Sequence, residues 1–185
     1  MNKIICISGS SRRGNTERLI RTAVAELKES GADVVEVYLS EFTPTPCDGC
    51  LRCDEDGVCH YDDGMNELNE HLASADGVLF GTPERWALLS GNLKTFMDRT
   101  NPLAGPERLQ GKKAAIIAVG QCEGAEAKSI HKACESVSKY CESAGMTVIG
   151  YLVVEGVLEP DDIDGKPDAI AKAKRLAHDL IAAVV

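Results

Sequence analysis

Short apolar runs alternate with amphipathic stretches along the chain. The run KIICISG at residues 3–9 reads as a strand, and residues 15–30 follow with Leu19, Ile20, Ala23, Val24 and Leu27 on one helical stripe, closed by Gly31. The pattern then repeats. VVEVYL (34–39) is a second strand, and after a cysteine-bearing loop an amphipathic helix carries Met65, Leu68 and Leu72 into a third strand, GVLFGT (77–82). Residues 91–100 predict a helix with Leu93, Phe96 and Met97 inward, and AAIIAVG (114–120) predicts a fourth strand. Ile130, Cys134, Val137 and Cys141 share a helix face, MTVIGYLVV (146–154) is the fifth strand, and a last helix runs through Ile170, Leu176 and Leu180. Parallel strands need helical crossovers and are buried on both faces, so this alternation predicts an α/β fold: a doubly wound five-stranded parallel sheet with helices on both sides. Ligands of such sheets bind beyond the carboxyl ends of the strands, where the strand order reverses. The loops after strands one, three and four are therefore the first to search.

A length of 185 residues suits one domain, 1–185, with the cysteine-rich loop at 46–61 as its main irregularity. Hydrophobic content of 44% with 26% charged residues is that of an ordinary globular protein, and 4% aromatic content is low for stacking many bases. A net charge of −9 disfavours nucleic acid, whose phosphates require clustered Lys and Arg, and suits partners with basic patches. The start MNKIICISGS meets Gly and Ser too soon for a signal peptide or a spanning helix, so the expectation is a cytoplasmic protein without a membrane partner. Without an export signal, eight cysteines read as metal ligands, redox groups or buried small hydrophobes rather than a disulfide scaffold.

Gly9-Ser-Ser-Arg-Arg-Gly14-Asn15-Thr16 follows the first strand and opens the first helix, where backbone N–H groups and the positive helix end favour an anion. The segment nearly matches G-x-x-x-x-G-K-[ST], but Asn15 stands where the phosphate-reaching lysine belongs, and the dinucleotide spacing G-x-G-x-x-G is absent. A single terminal phosphate, such as that of FMN, is the better match. A tight strand-to-helix turn capped by Asn15 or Thr16 is the plainer alternative.

SGSSRRGNT, GTPERWALLSGNLKTFMDR (81–99) and the intervening cysteines with DDGM resemble the NADPH-dependent FMN reductase superfamily, specifically its iron-sulfur flavoprotein branch, over roughly the first 125 residues. The resemblance implies a flavodoxin-like fold. It also implies that Ser8, Ser10, Arg12, Asn15 and Thr16 surround the FMN phosphate, and that Thr82, Pro83, Glu84, Arg85 and Trp86 border the isoalloxazine and ribityl chain. Ser90 and Gly91 fall at the following turn, and Gly120 and Gln121 where the family's third flavin loop lies. The family often has an aromatic or small residue where Glu84-Arg85 stand. Thr82-Pro83 independently suits a strand that ends sharply near a ligand, because proline fixes φ and ends the ladder. Trp86 suits either flavin stacking or packing on the sheet.

Cys47-x2-Cys50-x2-Cys53-x5-Cys59 places four thiols within thirteen residues, with turns at Asp48-Gly49 and Asp56-Gly57. Structural zinc sites usually separate two thiol pairs by a longer finger, whereas C-x2-C-x2-C wraps one compact cluster. A [4Fe-4S] cluster on these four cysteines is the sharper reading, and the resemblance implies the same ligand set; a cluster-free loop and a zinc site are the alternatives. Cys6, Cys134 and Cys141 read as core residues. Cys122 follows strand four and could sit near a flavin, although a structural role is the favoured reading.

With both cofactors, FMN takes two electrons and the cluster passes them singly, so no side chain needs to be a nucleophile. The expected activity is that of an FMN-dependent oxidoreductase and electron-transfer flavoprotein with NAD(P)H or ferredoxin as donor and a quinone, oxygen or peroxide as acceptor. The resemblance implies a homodimer or homotetramer. A cluster-free NAD(P)H-dependent FMN or quinone reductase and a zinc-stabilised interaction module are the competing readings.

Overall fold

The computed structural model describes residues 2–104 and 108–184. Five strands, β1 (Lys3–Ser8), β2 (Asp33–Tyr38), β3 (Gly77–Pro83), β4 (Lys113–Val119) and β5 (Thr147–Val154), form one sheet in the order β2-β1-β3-β4-β5 with every neighbouring pair parallel. This is the doubly wound parallel topology that the alternation predicts, in the flavodoxin-like form that the family resemblance implies. Its strand order reverses between β1 and β3, which opens a crevice at their carboxyl ends.

The helices are α1 (Asn15–Glu29), a single turn α2 (Cys53–Asp56), α3 (Met65–Ser74), α4 (Gly91–Asp98), α5 (Lys128–Ser143) and α6 (Pro167–Ala183). They divide between the two faces as the pleat requires, because successive strand side chains point oppositely. Along β1, Ile5 and Ile7 pack with Met65 and Leu72 of α3, Phe96 of α4 and Val137 of α5, while Ile4 and Cys6 pack with Leu19 and Ile20 of α1 and Leu180 of α6. Each of these side chains is fully buried. None of the described helices is long and apolar enough to cross a membrane.

Three buried cysteines behave as the sequence predicts. Cys6 lies in β1, and burial raises its thiol far above the usual range; Cys134 and Cys141 of α5 are pushed up to about 11 and about 12 by the same desolvation. Such thiols stay protonated and inert.

Candidate functional site

The loop after β1 is held by its first residue. The Gly9 N–H donates to the Gly81 carbonyl at 2.7 Å, and the Gly9 carbonyl accepts from Ser90 Oγ at 2.6 Å, so the ends of β1 and β3 and the start of α4 are tied together. A Cβ on Gly9 would stand 2.7 Å from Leu93 Cβ and 2.9 Å from the Gly81 oxygen. Ser10 Oγ donates to the Arg12 carbonyl at 2.7 Å and closes the turn. Arg12 and Asn15 reach away from the loop. The Arg12 guanidinium donates to the Leu158 carbonyl, Asn15 Nδ2 donates to the Glu159 carbonyl at 2.7 Å, and Asn15 Oδ1 accepts from the Ile163 N–H at 3.0 Å. These bonds dock the segment after β5 against the loop as a side wall.

Gly14, the residue before α1, provides no side-chain cap. The N–H groups of a first helical turn have no intrahelical acceptor, and they carry the positive end of the dipole. The one acidic residue of that turn, Glu17, is compensated: Arg21 donates to it at 2.9 Å and Ser40 Oγ at 2.6 Å. Ser8 Oγ, at the end of β1, is buried with no partner among the described residues.

After β3 the chain makes a two-residue hairpin. Arg85 and Leu88 exchange both backbone hydrogen bonds, at 2.9 and 3.0 Å, around Trp86 (φ 54°) and Ala87 (φ 62°). Successive positive φ angles mark the type I′ geometry, which Asn and Gly adopt readily and Trp and Ala do not; each such residue costs on the order of 1–3 kcal/mol. Glu84 offsets part of that strain, since its carboxylate accepts from the Ala87 N–H at 2.5 Å while its own N–H donates to the Val119 carbonyl at 2.7 Å. The acidic residue at position 84 thus braces a hairpin whose tip, Trp86, is 96% exposed.

These loops surround one cavity of about 600 Å³, within the range of small-molecule and cofactor sites. Ser10, Arg12, Asn15 and Thr16 line it from the first loop, Pro83, Glu84, Arg85 and Trp86 from the second, and Gly120, Gln121 and Cys122 from the third. The other predicted positions lie outside its lining. Ser8 and Thr82 are buried at strand ends, and Thr82 Oγ1 accepts from the Ser90 N–H at 2.9 Å. Ser90 caps α4 by accepting from the Leu93 N–H at 3.3 Å, and Gly91, next to it, is exposed with open space where a Cβ would be. A concavity of 440 Å³ around Tyr140 and Gly145 presents neither the strand-end loops nor a thiol.

The loop after β2 leaves the same end of the sheet. Cys47, Cys50, Cys53 and Cys59 all line one pocket of about 360 Å³, together with Asp48, His60, Tyr61 and Asn101. Its turns are those expected at Asp48-Gly49 and Asp56-Gly57: Asp48 Oδ1 accepts from the Cys50 N–H at 3.1 Å and Asp56 Oδ1 from the Val58 N–H at 2.9 Å. Asn66 of α3 exchanges two 2.9 Å hydrogen bonds with the Cys59 backbone, and Asn101 Nδ2 donates to Cys53 Sγ at 3.2 Å. All eight cysteines are free thiols. Thiolates sharing one zinc sit at about 2.3 Å from the ion and converge on a point. Among the described residues, however, the one trio of metal-ligating atoms within 4.8 Å is Asp48, Cys50 and His60. The four cysteines share a pocket lining without three of their sulfurs meeting at single-ion distances, a donor set that suits a multi-iron cluster bound through Cys thiolates.

Two residues beside this loop stand in segments that carry the family resemblance, but the sequence assigns them no role. Arg99 is 1% exposed, and its guanidinium forks onto the Asp63 carboxylate at 2.7 and 2.9 Å. The hydrogen bonds from Arg99, ahead of the backbone donors of Thr45 and Met65, hold the Asp63 carboxyl well below the usual range. A charged side chain after the inward stripe Leu93, Phe96 and Met97 was the available signal.

The NADPH-dependent FMN reductase family profile matches residues 2–155. An iron-sulfur flavoprotein of Methanocaldococcus jannaschii is 37% identical over 119 residues, 64% of this chain and 62% of that protein, so the chain spans less than two thirds of that relative. An iron-sulfur flavoprotein of Methanosarcina thermophila is 32% identical over 150 residues, 80% of this chain and 77% of that protein. Among solved structures, an NAD(P)H:quinone oxidoreductase from Methanothermobacter marburgensis superposes with a TM-score of 0.74 at 17% identity, covering 97% of this chain and 98% of that one, a likeness of fold.

Proposed function

Because this chain belongs to the NADPH-dependent FMN reductase family, we propose that it is an FMN-dependent oxidoreductase. It holds the flavin in the 600 Å³ cavity and a [4Fe-4S] cluster on Cys47, Cys50, Cys53 and Cys59. One observation carries the reading. Loops from three strand ends close around an uncapped helix N-terminus, and the loop from a fourth strand end, on the same side of the sheet, brings four thiols to one pocket.

In this reading the first-turn N–H groups of α1 and the Thr16 hydroxyl hold the phosphate, and Ser10 shapes the turn beside it. Arg12 and Asn15 act at one remove, by fixing the side wall at Leu158 and Glu159. Pro83 and Gly120 keep the wall low where a planar ring can lie, Trp86 offers it an aromatic face at the rim, and Arg85 supplies positive charge nearby. FMN bound in this cavity would supply hydride chemistry toward NAD(P)H, and a cluster held by Cys47, Cys50, Cys53 and Cys59 would supply one-electron transfer toward a quinone, oxygen or peroxide. Ferredoxin, a one-electron carrier, is the alternative donor. Trp86, Leu88 and Leu158 expose apolar surface around the cavity rim, which supports the homodimer or homotetramer expected of this branch. A second reading, one divalent ion such as zinc on Asp48, Cys50 and His60, is favoured by their mutual distances.

Anaerobically purified protein is expected to show flavin bands over a broad iron-sulfur absorbance, with about four irons per chain and no stoichiometric zinc. Flavin without iron would instead make it a cluster-free reductase, and zinc without flavin an interaction module. The chain has a single tryptophan, so its emission isolates Trp86. Titration of flavin-free protein with FMN is expected to quench that emission to a plateau at about one flavin per chain, because a stacked ring lies within contact distance. Flavin binding with unchanged emission would place the ring away from Trp86.

A further inference from the structure

The DDGM and MDR segments of the sequence, which the reading above leaves unused, meet behind the cysteine pocket. Asp63 and Arg99, 36 residues apart, form a buried fork, and Arg99 Nη1 also donates to the Thr45 carbonyl at 2.7 Å. The Tyr61 ring lies 4.9 Å from the guanidinium carbon. One donor is left over: Arg99 Nε is fully buried with no partner among the described residues. A buried N–H of this kind is costly to leave unpaired, so it calls for an acceptor.

The neighbours of Arg99 belong to the thiol pocket. Tyr61, Asp98 and Asn101 line that pocket, and Asn101 already donates to Cys53 Sγ.

We propose that Arg99 is a positioning residue for the cysteine site: its buried charge offsets the negative charge of the ligating thiolates, and its free Nε–H is a donor for a sulfur of that site. Asp63 fixes the guanidinium plane and partly cancels that charge. The inference rests on the reading of this loop as a cluster site. Hydrogen bonds to the sulfurs and nearby charge set the potential of an iron-sulfur centre, and a cation plus a donor favour the more negative, reduced form.

The test is the midpoint potential of the iron-sulfur centre in holoprotein, measured by spectroelectrochemical titration with the flavin potential as an internal control. Arg99→Lys keeps the charge and removes the Nε–H, so the cluster potential is expected to shift down. Asp63→Asn removes the cancelling carboxylate while keeping an acceptor for Arg99, so the potential is expected to shift up, with the flavin potential unmoved in both. Loosened packing moves the melting temperature and does not produce opposite shifts. Iron-loaded variants that both keep the wild-type potential and differ only in melting temperature would overturn the inference and leave the cluster reading standing. Wild-type protein that holds flavin but no iron would overturn the cluster reading, and the inference with it.

Discussion

Replacing Arg99 by methionine is expected to lower the stability of the chain by about 3–5 kcal/mol, the usual cost of removing one partner of a buried ion pair. Methionine fills much of the same volume but leaves the Asp63 carboxylate, only 20% exposed, and the Thr45 carbonyl without their guanidinium donors. Denaturant unfolding at neutral pH measures the loss. Its dependence on acid identifies the cause. The bonds from Arg99 depress the folded-state pKa of Asp63 below its unfolded value of about 3.9. A depressed carboxyl contributes stability that is complete above the unfolded pKa and is lost as pH falls through the folded one. The gap between wild type and Arg99→Met should therefore narrow as pH is lowered from about 5 toward 2. A gap that stays constant over that window would assign the loss to packing rather than to the pair.

Gly9→Val is expected to cost about 1–3 kcal/mol by overpacking and to weaken FMN binding at least about tenfold, which corresponds to about 1.4 kcal/mol. Two of the atoms that a Cβ would meet, Leu93 Cβ and the Gly81 carbonyl oxygen, belong to the backbone or stand directly on it, so neither can rotate aside. Relief requires the loop to lift from β3. That movement breaks the 2.7 Å bond to Gly81 and the 2.6 Å bond from Ser90, and it displaces Ser10 from the cavity. Fluorescence titration with FMN and a denaturant melt measure the two effects. Gly165→Ala, where a Cβ meets open space, is the control and should stay within about 0.5 kcal/mol of wild type. Normal flavin affinity in Gly9→Val would show that the phosphate does not rest on this loop.

The pocket lining combines residues that the sequence singled out with arrangements it did not reveal. Glu84 illustrates the difference. Along the sequence it is an acidic residue beside a presumed flavin position; in the fold its carboxylate caps the Ala87 N–H of a strained hairpin. Hairpin type depends on φ at Trp86 and Ala87, and neither residue type favours positive values, so local propensity points elsewhere. The family resemblance puts Arg12 and Asn15 beside a phosphate, and both line the cavity, yet their polar groups bond to Leu158, Glu159 and Ile163. A motif states which residues stand near a turn. It does not state which distant segment will claim their hydrogen bonds.

The sequence by itself determined what short-range physics controls. Alternation of period two and 3.6 placed each strand, α1 and α4 to within a few residues and marked the inward faces of α3, α5 and α6, because it reports which face each side chain presents. The strict succession of strands and helices then required a parallel sheet. The glycine loop and the cysteine spacing are equally local. Only the tertiary structure decided the rest: which strands are neighbours, that the segment after β5 closes the cavity wall, and that Asp63 and Arg99 pair beside the cysteine loop. Such pairings follow from which helix covers which face and from the need to satisfy every buried donor and charge. No window along the chain contains both partners.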